Sequence, residues 1–481
     1  MQAIDPPTAS PPAASNSTAL GAALPRINSL RQLSFSSIRR GVQRKVQREV
    51  QEENILKLAL QPLRILRKAL LCPILLLSVA AFFVPGSRAY SVLTHEQIVD
   101  LLWDSRIQPM LKARFPGLSD QELKEAHAYA YGGSLVQDMG YYPFGNKYFS
   151  DLTHYVRTGD FVATLIHEAE TANEYAFALG ALAHYAADNA GHPAVNQAVA
   201  MEFPKLRKKY GDIVTYEDSP RSHIRAEFGF DVTEVAKNHY TSDAFHDFIG
   251  FEISQSLLER VFPKVYGINF NDVIRNEDLA IGTFRRAVSV VIPEMTRVAL
   301  LARRKEIVKN TPSAAKQKYL YYLSRALYEK EWGSSYRRPG IGGRFLALIL
   351  KIIPKIGPFS ALNFKIPPQP AEDLFVKSID DTVRSYSAFL KETAQGNLQL
   401  SDKDCDTGHE TSRGEYALSD QTYARLLNSL TANQFKQVTP GLRENILAYY
   451  ENPALHQAAS HTQKDQKKLQ AELRDLRASE P

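Results

Sequence analysis

Cysteine is scarce: the 481-residue chain has two, Cys72 and Cys405. The processing boundary argued below separates them, so the body of the protein keeps one thiol and no internal disulfide. Long apolar runs are missing too. Residues 69–84 (ALLCPILLLSVAAFFV) are sixteen mostly apolar positions with a proline inside, short of the about 20 that a membrane-spanning helix needs. No GxGxxG, no P-loop and no set of alternating strands occurs, which removes the nucleotide-binding signatures. Excess positive charge is absent from most of the chain. The net charge of +6 arises in residues 1–89, with 12 Lys/Arg against 4 Asp/Glu; residues 90–481 hold 46 against 48, a net of −2. The body is therefore no basic nucleic-acid binder by composition. What remains, 44% hydrophobic and 23% charged, is globular, with enough apolar residues for a sizeable core.

The first part of the chain reads as a leader. Residues 1–25 are rich in Pro, Ala and Ser, and residues 26–48 are Arg/Ser-rich with no acid. Neither segment buries enough apolar surface to fold alone, so 1–68 is expected to be a disordered basic leader. Arg64, Arg67 and Lys68 precede the apolar run, and Pro85-Gly86-Ser87-Arg88-Ala89 follows it. A basic flank, a short apolar stretch, a turn breaker and small residues at 87 and 89 make 69–89 a signal peptide pattern. Cleavage after Ala89 predicts a secreted or periplasmic product; an uncleaved run would be a membrane anchor. The length of the leader leaves open whether the product begins at Met1 or near 58–67 on a non-Met codon. Cleavage makes Tyr90 the amino terminus, five residues before His95, and a free α-amine is a metal ligand.

Nine of the twelve histidines, at 95, 127, 154, 167, 184, 192, 223, 239 and 246, lie within 152 residues, and such clustering points to metal. The sharpest piece is AHYAADNAGHP, preceded by the helix-favouring NEYAFALGAL,. His184, Asp188 and His192 stand at i, i+4 and i+8, so imidazole and carboxylate share one helical face and can converge on a borderline ion such as Zn²⁺. His223 and Glu227 repeat the pattern as HxxxE, which alone is equally a solvated pair. Asp138, in GGSLVQDMGYYPFG, precedes His154, and the loop glycines can turn its carboxylate inward or use it to close a turn. His95 heads the apolar-periodic THEQIVDLLWD, as a ligand or as a lone core histidine.

In order and type these positions resemble the zinc-dependent phospholipase C family, related in fold to S1/P1 nucleases. The resemblance runs from about residue 90 to 259. It implies an all-α, multi-helix phospholipase C / P1 nuclease-like bundle holding two to three zinc ions in a cleft, here with additional C-terminal helices. Carried over, Asp138, His154, His184 and Asp188 hold one ion, and His192, His223 and Glu227 a second. His95 with the amine and carbonyl of Tyr90 holds a third, and Asp188 bridges. Tyr90 stands where the family places Trp, and Asp188 and His192 are four apart where the family inserts two more residues. Glu227 in the last motif is more phospholipase-like than nuclease-like. The resemblance implies hydrolysis of phosphodiesters, phospholipids foremost, by water activated on the metals, with Asp138 as general base.

Residues 90–310 are thus expected to form a zinc-binding helical catalytic domain, 311–450 a C-terminal helical region and 451–481 a charged tail, with HTQKDQKKLQAELRDLR a solvated helix or frayed end. Helical periodicity marks FHDFIGFEISQSLLERVF, GTFRRAVSVVIPEMTRVALLARR, 316–331 and 374–393,. Residues 340–364 are apolar, cationic and acid-free, as in a peripheral membrane element or a core helix broken by Pro354. Tyr141, Tyr142, Phe144 and Phe149 line a substrate pocket or belong to the core. Two other functions stay open: an S1/P1-like nuclease, less favoured on charge, and a non-catalytic membrane-associated helical protein stapled by metal.

Overall fold

The alanine-rich stretch after Thr171 has no β-branched run, so backbone propensity favours a helix. In the computed structural model, which describes residues 91–237, 249–310, 361–451 and 463–479, this stretch is one helix of 31 residues, Ala172–Glu202, about 46 Å long. The Thr171 side chain accepts the Glu174 amide and starts it. Because Ala and Gly cover so much of its surface, neighbours approach on every side, and most of its length is buried. The sixteen helices among the described residues are built around it.

Ahead of this axis come α1 (Val92–Leu102), α2 (Gln108–Arg114), α3 (Asp120–Gly133), α4 (Lys147–Tyr155) and α5 (Thr158–Glu168); the axis itself is α6. After it come α7 (Pro204–Tyr210), α8 (Pro220–Ala236), α9 (Gln255–Tyr266), α10 (Phe270–Val273), α11 (Glu277–Arg286) and α12 (Ile292–Asn310). The C-terminal set is α13 (Gln369–Gln395), α14 (Ala417–Ala432), α15 (Pro440–Glu451) and α16 (Gln463–Ala478). No strand occurs among the described residues, and the all-α expectation holds.

The two closest neighbours of α6 are α3 and α13. Glycine permits the first approach. A Cβ on Gly180 would lie 2.0 Å from the Ala130 carbonyl oxygen, and one on Gly133 1.9 Å from that of Phe177, so the two backbones touch where any side chain would hold them apart. On the other side α13 lays Phe375, Ile379, Val383, Tyr386 and Leu390 into the main core, and the Tyr386 hydroxyl donates to the Leu179 carbonyl at 2.9 Å. A second, smaller core joins Phe228 and Val232 of α8 to Met295 and Val298 of α12.

Three expectations change. The stretch 245–262 is not one helix: Gly250 takes φ +95°, the Glu252 amide donates to Ala128 O at 3.0 Å, and α9 starts only at Gln255. The solvated-tail reading of 461–477 gives way to a docked helix, because Leu473 and Leu476 form an apolar stripe buried in the main core. Of 340–364, only 361–364 is among the described residues; there Ala361, Leu362 and Phe364 are buried in the second core, so this end is core and not an interfacial face. The remainder of that element, the helix expected at 316–331, the leader and the cleavage site lie outside the described residues. No helix among the described residues is long and apolar enough to cross a membrane.

Candidate metal centre

Helix periodicity brings His184 and Asp188 onto one face of α6, and three other elements aim at that face. His95 comes from α1, Asp138 from a short 3₁₀ turn, Val136–Tyr141, and His154 from the last turn of α4. The 3₁₀ turn is held to its neighbours: Gln137 Nε2 donates to Ala181 O at 3.1 Å, and the Gly140 amide donates to Ser150 Oγ at 3.0 Å. All five side chains are completely buried.

The imidazoles are oriented from behind. His184 Nδ1 donates to Ser134 O at 2.8 Å, and His154 Nδ1 donates to Ser150 O at 2.7 Å. With the proton fixed on Nδ1, each Nε2 carries a lone pair. These two Nε2 atoms face each other at 3.3 Å, and Asp188 Oδ2 lies 3.1 Å from His184 Nε2 and 3.3 Å from His154 Nε2. Three electron-rich atoms in so tight a triangle repel one another unless positive charge lies among them. Ligands about 2.0–2.1 Å from a tetrahedral zinc ion are about 3.3 Å apart, so the triangle has the dimensions of one face of such a site. Asp138 Oδ1, 3.6 Å from His154 Nε2, supplies a further oxygen. The donor set, two imidazoles and two carboxylates with each imidazole braced by a carbonyl, fits zinc.

His95 extends the cluster. Its ring stacks on His184 at 4.5 Å, and its Nε2 lies 3.6 Å from Asp188 Oδ1. Among the described residues, the ligand atoms of His95, Asp138 and His184 lie within 4.8 Å of one another, as do those of His154, His184 and Asp188. Asp188 thus offers one oxygen to the His154/His184 pair and the other to His95. Burial and the neighbouring His184 hold the His95 imidazole well below its ordinary pKa, so it is neutral and fit to ligate.

The remaining sequence candidates are placed differently. His192 lies one turn beyond Asp188, because α6 continues unbroken through Pro193, and its Nδ1 is 3.1 Å from Asp406 Oδ1. His223 and Glu227 occupy one face of α8, with Nδ1 and Oε1 3.1 Å apart. His223 Nε2 is 2.7 Å from Asn196 Oδ1 and 3.1 Å from Val214 O. The rings of His192 and His223 are neighbours at 5.9 Å. Tyr90 lies outside the described residues, as do His239 and His246. His127 pairs with Asp100 at 3.0 Å and stacks on Trp103, away from the cluster, and His167 is exposed. Of the aromatics, Phe149 and Tyr142 are core; Tyr141 packs 6.2 Å from the His154 ring, and Phe144 is exposed.

Sequence reasoning missed the carbonyls of Ser134 and Ser150, Asn196 and Asp406. A backbone carbonyl has no sequence signature, and Asp406 arrives from more than 200 residues beyond His192. A bundle in which four elements direct His and Asp to one buried point is a candidate helix-borne metal centre. Residues 94–273 match the family model described as zinc dependent phospholipase C. That segment takes in every sequence-derived ligand except Tyr90. No curated protein and no solved structure matches the chain.

Proposed function

We propose that this protein is a zinc-dependent phosphodiester hydrolase acting on phospholipids. The observation that carries the reading is the triangle of His154, His184 and Asp188, buried ligand atoms spaced as on one face of a zinc site, inside the segment matching the phospholipase C family. Bound zinc supplies Lewis-acid polarisation of the phosphoryl oxygens and acidifies water. The chain's own residues do the rest. Asp188 holds His95, His154 and His184 around one carboxylate, and Ser134 and Ser150 fix the imidazole tautomers. Asp138, on its 3₁₀ turn beside His154, accepts the proton of the attacking water. Export by cleavage after Ala89 belongs to the same reading; it places the amine of Tyr90 five residues from His95, where it adds a ligand.

The mature charge of −2 favours a lipid over a polyanionic polymer,. Complete burial of the five central ligands favours a second reading, a metal staple without turnover,. One assay separates the three: purified protein is offered a chromogenic phosphocholine ester, single-stranded DNA and RNA, with and without chelator. Chelator-sensitive turnover of the ester is expected. Turnover of nucleic acid alone indicates the nuclease, and zinc-replete protein inactive on all three indicates the staple.

A further inference from the structure

We infer that Asp406 is a ligand of the ion held beside His192, supplied by the C-terminal part of the chain to the centre built on α6. The inference rests on the zinc reading above. His192 is completely buried, and its Nε2 makes no hydrogen bond. Asp406 Oδ1 stands 3.1 Å from Nδ1, the same spacing as that of the His184 and Asp188 pair. The positions implied by the family do not close a shell here by themselves. His223 spends its Nε2 on Asn196 and Val214 and turns Nδ1 to Glu227, while the shortened step from Asp188 sets His192 against the 401–416 loop. Glu227 Oε2, buried without a hydrogen bond, is the remaining carboxylate oxygen of this set.

The loop is built to hold Asp406 in place. Asp404 Oδ1 accepts the amides of Asp406 and Thr407 at 2.9 and 3.1 Å, forming a tight turn. The Asn196 side chain donates to the Asp406 carbonyl at 2.9 Å, and the Cys405 amide donates to His154 O at 3.1 Å, so the loop is anchored on both ligand helices. Gly408, at φ +74°, presses its backbone on α6; a Cβ there would lie 2.6 Å from Asn189 O. The hydroxyls of Tyr155 and Tyr416 both donate to Asp406 Oδ2 at 2.6 Å, which directs Oδ1 to His192. A carboxylate oriented through one oxygen and offered through the other is how metal-ligating carboxylates are usually prepared. Asp406 lies outside the segment matching the family, so the added ligand belongs to this chain's own C-terminal region.

The test uses full-length parent protein, Asp406→Asn and Asp406→Cys, with His127→Ala as a control outside the centre. Zinc stoichiometry is measured by elemental analysis and zinc affinity by competition with a chromogenic chelator; cobalt(II) is then loaded and its absorption recorded. Asp406→Asn should lose one equivalent of zinc, or bind it at least about 10-fold more weakly, while the equivalent at His154 and His184 stays. Asp406→Cys should show a thiolate-to-cobalt charge-transfer band absent from the parent, whose own Cys405 is adjacent. That band decides the matter even if Asp406→Asn folds poorly. Unchanged zinc binding in Asp406→Asn with no such band in Asp406→Cys overturns the assignment and leaves the zinc reading standing. A parent protein that binds no zinc overturns both.

Discussion

Gly180→Ala adds one methyl group and touches no ligand, yet it is expected to weaken the metal centre. The new Cβ would lie 2.0 Å from Ala130 O and 2.8 Å from the Ser134 amide nitrogen. Both are backbone atoms, so no side chain can swing aside. Restoring even a tight contact requires α3 and α6 to separate by at least about 1 Å, in an interior packed at crystal density. The Ser134 carbonyl moves with α3. Its bond from His184 Nδ1, now 2.8 Å, then lengthens beyond hydrogen-bond range. Overpacking of this kind costs about 1–3 kcal/mol, and loss of the group that orients a ligand imidazole lowers metal affinity by about 10–100-fold. Denaturant unfolding of the metal-free protein and competitive zinc titration measure the two effects separately. Gly282→Ala, on α11 with nothing within 4 Å of its new Cβ, is the control and should be neutral or stabilising by up to about 1 kcal/mol. If Gly180→Ala unfolds like the parent and binds zinc with unchanged affinity, the close α3–α6 contact does not position His184.

Three further outcomes are expected. Asp188→Asn keeps volume but removes the charge shared by His95, His154 and His184, so elemental analysis should find at least one ion lost and turnover reduced by more than about 100-fold. His127→Ala should leave metal content unchanged but destabilise the fold by about 1–3 kcal/mol through loss of the Asp100 contact and the Trp103 stack, measured by denaturant unfolding,. Asp231, which accepts the Leu93 amide and the Thr94 hydroxyl at the start of α1, is pushed up to about 7, chiefly by burial with the charge of Glu96 adding to it. The folded chain therefore keeps a proton that the unfolded chain releases above about pH 4, and stability falls as pH rises from there to about 7, by at most roughly 4 kcal/mol. Asp231→Asn should flatten the pH dependence of urea unfolding across that window; an unchanged slope would remove Asp231 as its source.

The sequence alone determined what is periodic or local. The alanine content of 172–202 dictated the central helix, and the four-residue step placed His184 with Asp188 and His223 with Glu227, because an α-helix returns to the same face after about one turn. Residue type and order sufficed to relate about 90–259 to the zinc-dependent phospholipase C family, whose model matches 94–273. Tertiary structure decided what depends on distant chain segments meeting. Residues 251–254 leave the helix because their backbone pairs with α3, and 463–478 docks because its leucine stripe finds the main core; neither partner is visible from within the segment. The bracing of His184 by Ser134 exists only because glycines let α3 and α6 touch. Asp406 reaches His192 only because a loop two hundred residues downstream folds back through Asn196, His154 and Gly408, and long-range contacts of that kind leave no periodic trace in the chain.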